Sequence, residues 1–240
     1  MKILIFADSL ALAREPGGGD VRYEETYPYL LDVALKQRYG HDAPLVNDRG
    51  MRSRTIEHVI DHWFEEVELK NPDVVVIHVG IVDCAPRVFL RRERGFIENL
   101  RSERLRRGIL TFVHKHRNRI IKLRQKVYVP PHRFRALLDQ AVTRSQAVAD
   151  RTLLFVNIIS PSDAMEARSP GFQSNVRLYN EILASHVNGK SIDLIDLNQM
   201  VWDRGGPDKL TVDGVHIKPE VHQLLAQEIE TRVARLKDEQ

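Results

Sequence analysis

The amino-acid sequence predicts an α/β fold in which helices cover both faces of a central parallel sheet. Short, unbroken apolar runs alternate along the chain with longer segments whose apolar residues recur at helical spacing. Such runs are typical of strands buried on both faces, and strands that alternate with helices form parallel sheets. We therefore expect a three-layer α/β/α architecture.

Five segments have the composition of buried strands. The first, residues 3–7, is apolar throughout and stops at Asp8 and Ser9, two small polar residues suited to a turn. The segment from Asp73 to Gly80 is rich in β-branched residues and is the clearest of the five. The other predicted strands cover residues 44–47, 152–159 and 192–197.

Helices are predicted where apolar residues follow a period of about 3.6 residues. They cover residues 27–38, 55–69, 134–149, 176–186 and 219–237. Residues 87 to about 126 also have helical spacing, and we interpret this segment as a helical insertion into the alternating pattern. The glycine-rich stretch Pro16–Asp20 predicts a loop, either at the rim of a site or as an ordinary surface turn.

Length and composition favour one globular domain over residues 1–240. Hydrophobic residues make up 42% of the chain and charged residues 29%, the balance of an ordinary soluble protein. The single cysteine, Cys84, excludes an internal disulfide framework and suits a reducing compartment. No apolar stretch approaches the roughly 20 residues that span a bilayer, and the first apolar run is too short for a signal peptide. We expect a cytoplasmic protein without a membrane partner.

Positive charge is concentrated in one segment. Residues 87–135 contain 16 Lys and Arg against three acidic residues, whereas the whole chain has 36 and 33, so the remainder has 20 and 30. This density of arginine favours an anionic partner. Nucleic acid is not expected, because the segment lacks the glycine–aromatic pattern of RNA modules and any zinc-ligand spacing. A solvated helix pair without a partner and a homodimer through the insertion both stay open.

The two ends of the chain contain candidate catalytic residues. Ser9 directly follows the first strand, and reactive groups in open parallel sheets lie just beyond the carboxyl ends of strands. Asp213 precedes His216 by three residues, so its carboxylate can accept the Nδ1 proton of the imidazole within one turn. The Nε2 atom would then take a proton from a serine hydroxyl. We predict Ser9, Asp213 and His216 as the catalytic residues.

With these two motifs in this order, the chain resembles the SGNH or GDSL hydrolase family. The segment Phe6–Leu10, with the sequence Phe-Ala-Asp-Ser-Leu, replaces the family's usual Gly-Asp-Ser-Leu, and Asp213 and His216 match its final Asp-x-x-His block. Gly50 matches the second-block glycine, whose N–H helps to hold the oxyanion. The resemblance covers nearly the whole chain apart from the insertion. It implies a flavodoxin-like sheet and an oxyanion hole formed by the N–H groups of Ser9 and Gly50.

The third block departs from the family pattern. Val82, in Gly80-Ile-Val-Asp83, stands where the family has an asparagine whose amide donates to the oxyanion. Loss of one such donor typically lowers the rate by about 10²–10³. Substitute donors by residue type alone are Asn47, Asn157, Arg52 and Arg54. From the first and third blocks, the predicted substrate-binding residues are Asp8, Gly80 and Asp83.

The resemblance implies a serine esterase or deacylase that removes a small acyl group, such as acetyl, from a carbohydrate or another small molecule, including an anionic one. Acyl transfer through the same residues stays open, as does a catalytically weakened scaffold that binds an anionic partner through residues 87–135. No cofactor or metal is expected, because His58 and His62 lack a third ligand at an obvious spacing. We interpret Cys84 as a buried core residue rather than a nucleophile.

Overall fold

The computed structural model describes residues 1–14 and 21–238, so the loop predicted at Pro16–Asp20 lies outside the described residues. Within them the strands are β1 (Lys2–Ala7), β2 (Leu45–Gly50), β3 (Val74–His78), β4 (Thr152–Val156) and β5 (Ile192–Ile195). They form one sheet in the order β2-β1-β3-β4-β5, and every pairing is parallel. The predicted α/β fold with a central parallel sheet is confirmed.

Helices connect the strands along the described chain. The α-helices are α1 (Tyr27–Tyr39), α2 (Ile56–Asp61), α3 (Ile81–Cys84), α4 (Arg91–Glu98), α5 (Glu103–Arg124), α6 (Pro131–Gln146), α7 (Asp163–Arg168), α8 (Phe172–Ala184), α9 (Leu197–Trp202), α10 (Pro207–Leu210) and α11 (Pro219–Asp238). No helix in residues 1–14 and 21–238 is long and apolar enough to cross a membrane.

One predicted helix is shorter in the structure, and four short helices were not predicted. The helix predicted over residues 55–69 ends at Asp61 as α2, and a wider π-type turn follows at Phe64–Glu68. The helices α3, α7, α9 and α10 were not predicted, since each has only four to six residues. A helical period needs a window of about 11 residues, so segments of this length do not show one.

The core lies in two layers, one on each face of the sheet. Side chains alternate along β1, so that Leu4 and Phe6 join an apolar cluster with α2, α6 and α8, whereas Ile3 and Ile5 join a second cluster with α1 and α11. All four side chains are buried. This two-sided burial explains the unbroken apolar run of the first strand and gives the three-layer arrangement.

The sheet order brings several functional segments to one edge. β1 lies between β2 and β3, and its last residue, Ala7, is paired with Gly50 of β2 and His78 of β3. The segments that follow these three strands therefore start side by side. In a sheet of this order, the topological switch point lies between β1 and β3. Ligands of open α/β sheets bind at this point, beyond the carboxyl ends of the strands.

The insertion is closed at its base. The N–H of Arg87 donates to the carbonyl of Lys126 at 2.7 Å, and these two residues form an antiparallel bridge. The Glu93 carboxylate accepts from both Lys126 and Arg124. The hydrogen bonds from Lys126, from the Leu90 N–H and from Arg124 lower the pKa of Glu93 to about 2. The insertion, residues 87–126, therefore enters and leaves the sheet scaffold at one point.

The insertion touches two segments that follow strands of the sheet. Arg91 Nη2 donates to the carbonyl of Ser53 beyond β2, at 3.1 Å. Arg117 Nη2 contacts Ser169 Oγ at 3.1 Å, directly after α7. Because both partners follow carboxyl ends of strands, the insertion borders the edge at which Ser9 lies. The face of α5 away from these contacts leaves apolar side chains exposed, among them Leu105, Phe112 and Leu123.

We predict that Gly80→Ala lowers the free energy of unfolding by about 1–3 kcal/mol. Gly80 has φ +130°, and a Cβ there would lie 2.6 Å from Ile158 Cδ1. Urea denaturation monitored by circular dichroism measures the change. The control is Gly95→Ala in α4, where a Cβ meets nothing within 4 Å and helix propensity favours alanine. Equal stability of the two variants would contradict the prediction.

Candidate active site

Ser9 lies in the first turn after β1. Asp8 caps the short 3-10 helix Ser9–Ala11, because its Oδ1 accepts the N–H of Leu10 at 2.9 Å. The N–H of Ser9 makes no hydrogen bond to any described residue, as expected at the start of a helix. The sheet edge thus has both a hydroxyl and an uncommitted N–H at Ser9.

Asp213 and His216 lie in a tight turn. Thr211 and Ile217 form an antiparallel bridge on either side of it, and the Val212 N–H donates to the His216 carbonyl at 2.7 Å. Gly214 has φ +86°, a left-handed conformation that glycine adopts without strain. The turn packs against Ser162, the residue that caps α7, and this contact leaves no room for a larger residue at position 214.

The close packing at Gly214 fixes the turn in place. A Cβ at this position would lie 2.5 Å from Ser162 Oγ. The N–H of Ser162 also donates to the Gly214 carbonyl at 3.2 Å. The start of α7 therefore supports the turn that contains Asp213 and His216.

The three predicted catalytic residues form one hydrogen-bonded chain. Ser9 Oγ lies 3.0 Å from His216 Nε2, although 207 positions separate the two residues. His216 Nδ1 lies 2.8 Å from Asp213 Oδ2. Asp213 Oδ1 accepts the N–H groups of His216, at 2.9 Å, and Val215, at 3.2 Å. Arg14 Nη1 stands 3.5 Å from Asp213 Oδ2.

These contacts favour an ionised Asp213. Burial disfavours the charged carboxylate, but the hydrogen bonds from the ring and the N–H of His216 outweigh it, and the charges of His216 and Arg14 add to their effect. The pKa of Asp213 is therefore well below its usual value. An ionised Asp213 accepts the Nδ1 proton of His216, which directs the Nε2 lone pair to the Ser9 hydroxyl.

The N–H of Gly50 already has a partner in this structure. It donates to Asp48 Oδ1 at 2.8 Å, so it would have to leave that carboxylate to reach an oxyanion. Its assignment to the oxyanion hole stays a prediction. Three residues further along, Ser53 is exposed, has φ +58° and donates its N–H to no described residue. Sequence reasoning did not single out Ser53, because a serine gives little sign of a left-handed conformation.

The structure places Val82 in α3 with its side chain buried among apolar neighbours. Its carbonyl accepts a hydrogen bond from Arg87 Nη2 at 3.1 Å. Among the substitutes proposed for the missing amide, Asn157 makes hydrogen bonds elsewhere: it donates to Asp196 Oδ1 at 2.7 Å and accepts the Asn198 N–H at 2.9 Å. Asn157 therefore joins the segment after β4 to the segment after β5, and its amide is directed to Asp196 rather than to Ser9.

The other proposed donors differ in their burial and in the contacts of their side chains. Arg54 is buried, and its guanidinium lies over the Phe6 ring at 5.1 Å from the centroid. Its Nε and Nη1 have no hydrogen-bond partner among the described residues. Burial lowers the pKa of this guanidinium. Asn47, in β2, and the exposed Arg52 make no side-chain hydrogen bond within the described part of the chain.

Asp8 and Asp83 have completely buried side chains. Asp83 Oδ1 accepts the Ile56 N–H at 2.9 Å, which joins α3 to the start of α2. The second oxygen of each carboxyl group has no partner among the described residues. Gly80 is also buried, and its carbonyl accepts the Cys84 N–H at 2.9 Å. The predicted role of these three residues in substrate binding stays a prediction.

Burial dominates the titration of the two carboxyl groups. It raises the pKa of Asp8 to about 7, against the hydrogen bond from Leu10. It raises the pKa of Asp83 to about 8, with the charge of Asp8 adding to the effect and the Ile56 hydrogen bond opposing it. A proton on Asp83 is therefore favoured at neutral pH.

No group of three or more histidine, cysteine, aspartate or glutamate side chains in residues 1–14 and 21–238 is arranged to hold a metal ion. His58 Nδ1 contacts Thr55 Oγ1 at 2.8 Å, and His62 Nδ1 contacts the His58 carbonyl at 2.8 Å. Cys84 is buried, and burial raises the pKa of its thiol, which disfavours the reactive thiolate.

Asp83→Asn tests the protonated state of this carboxyl. Because the pKa is about 8 in the folded protein and 3.8 ordinarily, its contribution to stability is full below about pH 4 and is lost as the pH rises towards 8. The asparagine side chain does not titrate, so the variant does not lose this stability as the pH rises. We predict that its stability relative to the unsubstituted protein rises by roughly 1–3 kcal/mol between pH 5.5 and pH 8.5.

Urea denaturation at the two pH values measures this difference. The matched control is Asp61→Asn, since Asp61 is exposed at the end of α2. Parallel pH curves for the unsubstituted protein and Asp83→Asn would show that the Asp83 carboxyl is ionised when buried.

Comparison with solved structures shows the fold. A lipase/acylhydrolase from Enterococcus faecalis is 17% identical, with a TM-score of 0.63 over 97% of this chain and 94% of that chain. An α/β hydrolase enzyme from the metagenome of Lake Arreo, Spain, is 20% identical, with a TM-score of 0.59 over 98% and 95%. A catalytic mutant of an acetylxylan esterase from Geobacillus stearothermophilus is 18% identical, with a TM-score of 0.56 over 94% and 90%.

The sequence itself shows the family. The model of the GDSL-like lipase/acylhydrolase family matches residues 8–224, which include Ser9, Asp213 and His216. The chain belongs to this family, as its motifs indicated. No curated protein matches the chain.

Proposed function

We propose that this protein is a serine hydrolase that cleaves ester bonds and removes a small acyl group, such as acetyl, from a carbohydrate. The observation that carries this proposal is the chain of contacts from Ser9 Oγ through His216 to Asp213, with distances of 3.0 and 2.8 Å. These separations lie within the reach that proton transfer from a serine hydroxyl to an imidazole requires.

In the first half of the reaction, His216 Nε2 removes the proton of the Ser9 hydroxyl while Ser9 Oγ attacks the ester carbonyl. A tetrahedral intermediate forms with negative charge on the former carbonyl oxygen. His216 then gives its proton to the departing alcohol, and the acyl group stays on Ser9. Asp213 stabilises the imidazolium that exists between these two proton transfers.

In the second half, water replaces the alcohol. His216 takes a proton from the water molecule, whose oxygen attacks the acyl carbon, and the proton returns to Ser9 as the acid leaves. The reaction needs no redox step. The alternative of acyl transfer differs only in this half, where a sugar hydroxyl takes the place of water.

Backbone N–H groups are the proposed oxyanion donors. The Ser9 N–H and the Ser53 N–H donate to no described residue, and both lie in turns that follow neighbouring strands. We assign the Gly50 N–H a supporting role, since it first has to release Asp48 Oδ1. Val82 contributes no donor, so the proposed hole lacks the side-chain amide of the family pattern and consists of backbone N–H groups alone.

The proposed acyl group and acceptor follow from the relatives. The structural neighbours include an acetylxylan esterase, an enzyme named for its action on an acetylated carbohydrate. Family membership supports acyl-ester hydrolysis in general. The weakened-scaffold alternative is less well supported, because the three catalytic side chains keep hydrogen-bonding distances.

A fluorophosphonate probe tests the nucleophile. We expect it to label the intact protein at Ser9, since the probe reacts with an activated serine hydroxyl. Ser9→Ala should abolish labelling, and His216→Gln should lower the labelling rate by at least about 10³-fold. Ser160→Ala is the control, because Ser160 lies beyond β4 and outside the proposed catalytic chain. Labelling that survives Ser9→Ala would refute the proposed nucleophile.

Val82→Asn tests the incomplete oxyanion hole. An amide at this position restores a donor, so we predict a rise in kcat of about tenfold to 10³-fold for acetyl-ester hydrolysis, with little change in KM. Val82→Ala provides the control, since it removes the same buried side chain without adding a donor. If Val82→Asn folds but does not exceed Val82→Ala in kcat, another group already occupies the donor position.

A further inference from the structure

The insertion contains a cavity with a volume of about 400 Å³ between α4, α5 and the segment that follows α3. Its walls combine apolar and cationic side chains. The apolar part includes Val88 and Ile97, which are buried. The cationic part consists of Arg87, Arg94 and Arg117.

Arg87 is the best-placed cation of the cavity wall. Its guanidinium lies over the Tyr128 ring at 4.3 Å from the centroid, and its Nη2 donates to the Val82 carbonyl. Its Nε is buried without a hydrogen-bond partner among the described residues. A buried guanidinium nitrogen that lacks an acceptor carries an unmet desolvation cost, which an anionic ligand would offset.

Positive charge in the cavity is only partly balanced. Arg94 pairs with Glu98 at 2.7 Å, and Glu98 is the one carboxylate among the lining residues. Arg87 and Arg117 form no ion pair with a carboxylate in the described part of the chain. Burial lowers the pKa of Arg87, and the nearby positive charges of Arg117 and Arg91 act in the same direction.

We propose that this cavity binds a small amphiphilic anion: a carboxylate or phosphate held by Arg87 and Arg117, with an apolar body against Val88 and Ile97. Arginine forks match the oxygen geometry of both groups. The volume fits a small molecule rather than a polymer.

One hydrogen bond connects the cavity wall with the third block of the family pattern. Arg87 connects the two, because it lines the cavity and also donates to Val82 in the third block. The anion would therefore be the non-reacting part of the ester that Ser9 attacks. This second step rests on the proposed function, whereas the binding site itself does not.

Binding is tested in the full chain with Ser9→Ala, by titration calorimetry with 1-naphthoate, 1-naphthyl phosphate and neutral 1-naphthylmethanol. We expect at least one anion to bind at least about tenfold more tightly than the alcohol, and the comparison of the two anions identifies the preferred group. Arg87→Gln and Arg117→Gln should each weaken that binding about tenfold. Arg117 is exposed, so this variant keeps the test valid if Arg87→Gln does not fold.

Arg119→Gln is the matched control. Arg119 is exposed on the same helix and is not among the residues that line the cavity, so its variant should bind the anions like the parent chain. Equal binding of the alcohol and both anions would overturn the proposal. An equal loss of anion binding in all three arginine variants would show general attraction to surface charge and would overturn the proposal too. The same conclusion would follow if a short oligonucleotide displaced the anions and its own binding fell equally in the three variants.

The inference that the bound anion is part of the ester substrate is tested by hydrolysis of 4-acetoxybenzoate and its neutral methyl ester. Arg117→Gln should raise KM about tenfold for the carboxylate only, with kcat unchanged. An equal change in KM for the two esters would reject the idea that the anion is part of the substrate. The calorimetric data would then decide whether the cavity is a ligand site. Failure of fluorophosphonate labelling at Ser9 would instead reject the hydrolase, and binding to the Ser9→Ala chain would still decide the cavity.

Discussion

The hydrogen bond between Ser9 and His216 is the contact on which the proposed chemistry of this protein depends. It joins residues 207 positions apart, so local structure cannot create it. The central position of β1 in the sheet fixes Ser9, and α11 packs beside α1 on one face of that sheet, which returns the end of the chain to its beginning. The glycine turn at residues 213–216 then sets the imidazole at hydrogen-bonding distance.

Three aspartates near this edge show how environment separates identical side chains. Asp213 is partly exposed and accepts from the ring and N–H of His216 and from Val215, so its pKa falls. Asp8 and Asp83 are completely buried and accept one backbone hydrogen bond each, so their pKa values rise. Burial raises the pKa of Asp8 and Asp83 more than their hydrogen bonds lower it, whereas the hydrogen bonds to Asp213 outweigh its partial burial. Only Asp213 is suited to stabilise an imidazolium, while the other two connect loops.

The main features of the fold were readable in the sequence because they depend on composition. Residues 3–7 and 73–80 form strands whose two faces are both buried. Because both faces are buried, these segments are apolar almost throughout, and such runs are easy to find in the sequence. The charge count likewise located the insertion, whose ends meet at Arg87 and Lys126. Motif order placed Ser9 and His216 together without any knowledge of the path between them.

Features that depend on three-dimensional context were not readable. The break after Asp61 and the short α3 leave no periodic signal, since they follow from packing and capping. The bond between Gly50 and Asp48 and the left-handed conformation of Ser53 are properties of one loop in one setting. Which N–H groups are free to hold an oxyanion can therefore be read only from coordinates, whereas the motif that proposes Ser9 as the nucleophile is visible in the sequence.

The antiparallel bridge at the base of the insertion has a consequence for how this scaffold can diversify. Because the chain leaves and rejoins at adjacent positions, about forty residues form an appendage whose replacement by a short turn leaves the strand order intact. A lineage could exchange this appendage as a unit and so acquire a new ligand preference, while the reacting atoms stayed where they were. Under the proposed function, recognition and bond cleavage would thus be inherited on separate pieces of one polypeptide.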